Sequence, residues 1–167
     1  NDEMLSYATS FVRGVEDKLY VGNYSAAYEQ LDLTSFADFW LIQEIMMNSE
    51  MKHPKSVYMY LNRGTIYAGP IWDFDWNTLP VSTSYAEEGY SYTKSMLEKA
   101  KPYHKRSGYP NEPIEDDDKN YVWYPMLVKD ATFKALTAER WGQVKNMLLS
   151  YVETIPAKAA AMKTSEA

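Results

Sequence analysis

Apolar residues recur at helical spacing in three stretches of the chain and at strand spacing in one. Leu5, Ala8, Phe11, Val12, Val15 and Leu19 mark one face of an amphipathic helix over residues 3–20. Gly22 and Asn23 stop it, and a short helix over 26–31 follows. Asp32 or Thr34 is placed to cap a second strong helix, with Phe36, Phe39, Trp40 and Ile45 along one face and an end near Asn48. The runs SVYMYL (56–61) and TIYAGP (65–70) flank Asn62-Arg63-Gly64, a turn with glycine where positive φ is favoured. They predict a β-hairpin with IWDFDW leaving its second strand. Periodicity is then lost over residues 78–122, a long insert that holds many tyrosines and the run Glu115-Asp116-Asp117-Asp118, with a helix expected over Ser95–Lys101. With little apolar area to offset backbone ordering, this insert is expected to be the least ordered part and the first cut by limited proteolysis. From Trp123 the helical pattern returns through Leu127, Phe133, Leu136, Trp141, Val144, Leu148 and Val152, and Pro156 is expected to kink or restart the last helix. No internal repeat is found. The fold class is therefore mainly α with a small β-hairpin (α+β), its helices packed around Phe39, Trp40 and Trp141.

Composition narrows the function classes. A length of 167 residues suits one domain or one large piece of a bigger one, expected here as a single lobe over residues 1–167. The first residues read as the middle of a helix, so the chain is expected to be cut from a longer protein. A net charge of −6 and a pI near 5.0 argue against nucleic acid as the main partner and fit a cation or a neutral or basic substrate. Cysteine is absent, which excludes disulfides and thiolate metal sites. No apolar run approaches the ~18 residues of a membrane span.

The chemistry concentrates in GPIWDFDWN, residues 69–77, where Asp73 and Asp75 sit among bulky apolar side chains. An unpaired carboxylate in an apolar setting costs several kcal/mol or shifts its pKa, and a shared cation removes that cost. In an extended strand both carboxylates would face one side, with Trp72 and Phe74 on the other. Glu50, in NSEMKHPKS just past the second strong helix, is returned to the same region by the hairpin. One carboxylate to orient an attacking hydroxyl and another to hold a phosphate-bridging magnesium is the layout phosphoryl transfer needs. The structural alternative ties Asp73 and Asp75 to backbone amides or to an arginine such as Arg140. Glu50, Lys52, His53 and Lys55 would then be a solvated turn. Neither histidine has a second ligand at metal spacing, and the acidic run 115–118 lacks EF-hand spacing.

Protein kinases use a catalytic loop H-R-D-L-x-x-x-N and, after a hairpin, a metal aspartate in D-F-G. Here Glu50-Met51-Lys52 stands where Asp-Leu-x would, and Asp73-Phe74 where D-F would. The stretch FADFWLIQEIMMNSEMKHPKSVYMYLNRGTIYAGPIWDFDWNT resembles the spore-coat protein H (CotH) kinase-like family, as does YVWYPMLVKDATFKALTAERWGQV with its Glu-Arg-Trp. The resemblance covers well over half the chain and implies the C-terminal lobe of an atypical kinase-like fold. It implies ATP with Mg2+ or Mn2+ as cofactors, a protein substrate, and an extracellular or cell-envelope location. It maps Glu50 and Lys52 onto catalytic positions, Asn48 and Lys55 onto the cofactor side, and Asp73 and Asp75 onto the metal.

The sequence departs from that pattern twice. The family's catalytic position is usually aspartate, and the extra methylene of Glu50 displaces the carboxylate by about an ångström, which can cost about 100-fold in rate. No glycine-rich phosphate loop and no VAIK-like lysine lie upstream, so this chain alone is not expected to phosphorylate anything. The alternative reading is a non-catalytic module, either a pseudokinase or a cell-surface interaction domain.

Overall fold

The computed structural model describes residues 2–48, 57–74 and 123–165. The order of elements is α1 (Asp2–Tyr20), α2 (Tyr24–Tyr28), α3 (Leu33–Ile45), β1 (Met59–Asn62), β2 (Thr65–Ala68), α4 (Tyr124–Leu127) and α5 (Ala131–Ser165). Among the described residues it is mainly helical with one small antiparallel sheet, as the hydrophobic pattern predicts. The insert 78–122, with its expected helix and its expected susceptibility to proteases, lies outside the described residues.

The core forms where α3 meets α4. Phe36, Phe39 and Trp40 recur on one stripe of α3, and the ring of Tyr124 rests on all three, with centroids at 6.0, 6.0 and 5.5 Å. Phe36 also stacks on Trp123 at 5.7 Å. Val15 and Leu19 from α1, Ala27 from α2, Leu31, Ile66 from β2, Leu127 and Phe133 complete the cluster. The burial on α1 is confined to its C-terminal half: Val15 and Leu19 are sealed, while Leu5 is exposed.

Polar groups fix how the pieces join. Asp32, the first of the two cap candidates, accepts from Ser35 N at 2.8 Å. Ser35 Oγ donates to Asp32 O at 2.8 Å and accepts from Ala68 N at 3.1 Å, so the same cap ties α3 to β2. The bonds Asp32 N to Ile66 O and Ile66 N to Gln30 O, both 2.9 Å, add a short parallel bridge beside the hairpin. The segment after the insert is held by Trp123 Nε1 donating to buried Glu16 at 3.0 Å, by Tyr24 Oη donating to Met126 O at 3.1 Å and by Tyr28 Oη donating to Asp130 at 2.7 Å.

The hairpin register pairs Asn62 with Thr65, so the loop is two residues, Arg63-Gly64. Both have positive φ, 49° and 82°, as a type I′ turn requires. Arginine pays a steric cost there that asparagine largely avoids. Because Arg63 is exposed, Arg63→Asn is expected to stabilise the fold by about 0.5–1 kcal/mol, read as a raised urea midpoint.

Two expectations about α5 are corrected. Trp141 is not a core residue: it is 37% exposed. Phe133, Thr137, Arg140 and Val144 fall on the face turned to α3, and Trp141 lies about 80° around the helix from Phe133 at 100° per residue. Of the two outcomes expected at Pro156, the restart does not occur: the helix continues through that residue. From Leu149 to Lys163 every residue is exposed. Helices in water draw most of their stability from packing, and an interior proline costs about 3 kcal/mol. Amides of 149–163 are therefore expected to exchange with solvent far faster than those of 133–144, measured by hydrogen exchange. Equal protection along α5 would contradict this.

Candidate functional site

Two of the sequence-predicted site residues lie in described segments, Asn48 and Asp73; Glu50, Lys52, Lys55 and Asp75 lie outside them. Asn48 ends the turn that closes α3. Its backbone N–H reaches back to Gln43 O at 3.0 Å, while Met47 N–H bonds Glu44 O at 3.2 Å. Met47 has a left-handed backbone, φ 52°, where helices more often place glycine. Met47 and Asn48 are both buried, at 7% and 2% exposure, so the chain leaves α3 through an interior point and not through a loose end.

Asp73 lies five residues beyond the end of β2 and is exposed. Its φ is 61°. The expected extended strand through Asp73 is therefore not formed, since a left-handed residue breaks the alternation of faces on which that parity depends. Trp72 is 59% exposed, so it is not a core anchor, whereas Phe74 is half-buried. Of the three non-glycine residues with positive φ among those described, Met47 closes α3, Arg63 serves the hairpin turn and Asp73 follows β2.

The hairpin brings the two sides together. Beyond the last paired residues of its strands, Gly69 N–H donates to Tyr58 O at 2.9 Å. Residue 57, where the chain returns from the segment carrying Glu50, Lys52 and Lys55, is therefore next to the point from which Gly69 to Asp73 departs. The inner side chains Ile66 and Ala68 face the core, and the outer face carries Tyr60 stacked on Tyr67 at 4.9 Å. Among the described residues no group of three or more His, Cys, Asp or Glu side chains is placed to hold a metal. The donors the sequence offers there, the carboxylates of Asp73 and Asp75, are hard oxygen ligands suited to magnesium or manganese.

Arg140, offered by the sequence as a structural partner for the Asp73 pair, is engaged elsewhere. It forks onto Asp38 across the α3–α5 contact, Nε to Oδ1 at 2.7 Å and Nη2 to Oδ2 at 2.8 Å, and Nη1 donates to Gln143 at 2.6 Å. The Asp38 carboxylate beside it holds the guanidinium more firmly in its charged form. Nothing in local sequence signals a pair 102 positions apart. The left-handed Met47 was equally illegible, because methionine has no preference for that conformation.

Compared with known proteins, residues 1–164 match the family model described as CotH kinase protein. No curated protein and no solved structure matches the chain.

Proposed function

This chain belongs to the CotH kinase family, and from that premise we propose that it supplies the metal-binding and catalytic-loop half of an ATP-dependent kinase acting on a protein hydroxyl. The observation that carries the reading is the left-handed backbone of Asp73, at the open end of a hairpin whose other strand begins just after the Glu50 segment. Non-glycine residues held in such conformations cluster at functional sites, where the surrounding structure must over-determine them. In this reading Asp73, with Asp75, holds Mg2+ or Mn2+. Glu50 orients the attacking hydroxyl, Lys52 meets the transferred phosphoryl group, and Lys55 lies on the nucleotide side. Asn48, assigned to the cofactor side by resemblance, supports the loop from the interior. The metal, when bound with ATP, would neutralise charge on the phosphates. The glycine-rich loop and lysine that clamp a nucleotide would come from outside residues 1–167, and an exported or cell-envelope location follows the family alone.

Glu50 in place of aspartate favours a second reading, a pseudokinase that keeps the fold and not the chemistry. Metal binding is tested first, by titrating Mg2+ into the wild type and Asp73→Asn and following amide chemical shifts. The expected result is weak binding, about millimolar because one or two carboxylates suffice only for a water-rich magnesium site, with shifts around residue 73 that the substitution removes. Absent shifts, or shifts unchanged in Asp73→Asn, would leave the non-catalytic reading standing.

A further inference from the structure

The face that α5 turns to α3 runs on past the α3 contact. Phe133, Thr137, Arg140 and Val144 carry it along α3, and Leu148, Val152, Ile155 and Ala159 continue it at spacings of four, three and four residues. Leu148 is half-buried, but every position from 149 to 163 is exposed. Val152 is 56% and Ile155 47% exposed, and Leu149 and Tyr151, on the two flanks of the stripe, are 53% and 57% exposed. Alternating steps of four and three are the seam of a helix that pairs with another helix. Left bare, this stretch has no packing to offset the cost of about 3 kcal/mol that Pro156 adds inside it.

We propose that this stripe docks on the same stripe of a second copy of the chain, the two helices running antiparallel about a two-fold axis between Glu153 and Thr154. In that register Val152 meets Ile155 of the second copy in the two central layers, and Leu148 meets Ala159 in the two outer ones, large against small. The flanking charges select the direction. The ionisable flank positions are both lysines, and a parallel pair would set Lys158 of one copy beside Lys163 of the other. Antiparallel pairing sets Lys158 beside Tyr151 instead, and within one chain the Lys158 ammonium already rests 4.0 Å from the centroid of that ring. Leu149, Tyr151, Val152 and Ile155, at roughly 100 Å² each, bury about 800 Å² across both copies. That falls short of the ~1,200–2,000 Å² of stable complexes, so the dimer is weak, and α5 of the dilute chain stays open to exchange. The inference does not depend on the kinase reading.

Sedimentation velocity from about 10 to about 500 μM reads the association. The wild type is expected to move toward twice the monomer mass over that range. Ile155→Asp is expected to stay monomeric, because it places a carboxylate in both central layers. Met147→Asp is the control: Met147 is as exposed but lies about 100° around the helix from Leu148, so this variant is expected to associate like the wild type. Direction is read from a spin label on Lys163→Cys, in a chain with no other cysteine. Antiparallel helices place the two labels about 30 Å apart, and parallel ones about 10 Å. Hydrogen exchange over 149–163 should slow as concentration rises, while that over 133–144 stays constant. A wild type that is monomeric throughout would assign the stripe to some other partner and overturn the proposal. Association that Ile155→Asp leaves intact, or that Met147→Asp weakens equally, or labels about 10 Å apart, would do the same.

Discussion

Phe36→Ala is expected to destabilise the protein by about 3–5 kcal/mol, the usual cost of removing a large aromatic ring from a sealed core. Phe36 is 0% exposed, and its ring touches both Trp123 and Tyr124, so the cavity would open where α3 receives the segment that follows the insert. Domains are stable by only about 5–15 kcal/mol, so a loss of this size removes a large share of the total. Trp141→Ala is the control. Trp141 has the larger side chain but is 37% exposed on the flank of α5, and its removal is expected to cost well under half as much. Urea unfolding followed by far-ultraviolet circular dichroism measures both. Equal losses would mean that Trp141 carries the packing the hydrophobic pattern first assigned to it.

That contrast shows where the sequence was legible. The stripe Phe36, Phe39, Trp40 has a 3.6-residue period, and a period reports the buried face whatever the partner is. Asp32 was readable for the same local reason: its side chain satisfies an amide three residues on, Ser35 N. Trp141 failed because the apolar positions from Phe133 to Val152 spread widely around the helix, and the pattern admits Trp141 although it lies about 80° from Phe133. A single tryptophan says that burial is favourable, but only its angle relative to Phe133 and Arg140 says whether it is buried. The candidate site divides in the same way. The hairpin that brings 57 and 69 together follows from alternation and a glycine turn. The left-handed backbones at Met47 and Asp73 do not, because they are imposed by tertiary context on residues with no strong local demand for them. Partnerships such as Arg140 with Asp38 are settled by the packing of α5 on α3, which no short window of sequence contains.

Asp130 is the polar counterpart of Phe36. One carboxylate oxygen accepts from Thr132 N at 2.9 Å and Phe133 N at 3.0 Å, capping α5, and from Tyr28 Oη at 2.7 Å, tying that cap to α2. Burial pushes the carboxyl up, but the bonds from Tyr28, Phe133 and Thr132 outweigh it and hold it below the ordinary carboxylate value. The Tyr28 phenol moves the other way, raised by its burial and by the same carboxylate, so it stays a donor. Asp130→Ala removes the cap and strands a half-buried hydroxyl, which together are expected to cost about 2 kcal/mol at neutral pH. The pH dependence follows from the sign of the shift. A carboxyl depressed in the folded state contributes its ionic stabilisation above the unfolded value, about 3.9, and loses it as pH falls through the folded value. The difference between wild type and Asp130→Ala should therefore be widest near neutral pH and narrow below about pH 4. Asp130→Asn retains an acceptor for the helix amides, so it should recover most of the loss while flattening the acid limb. Urea midpoints at neutral pH and near pH 3 measure all three proteins, and a gap that stays constant with pH would show that the carboxylate's charge contributes nothing to this joint.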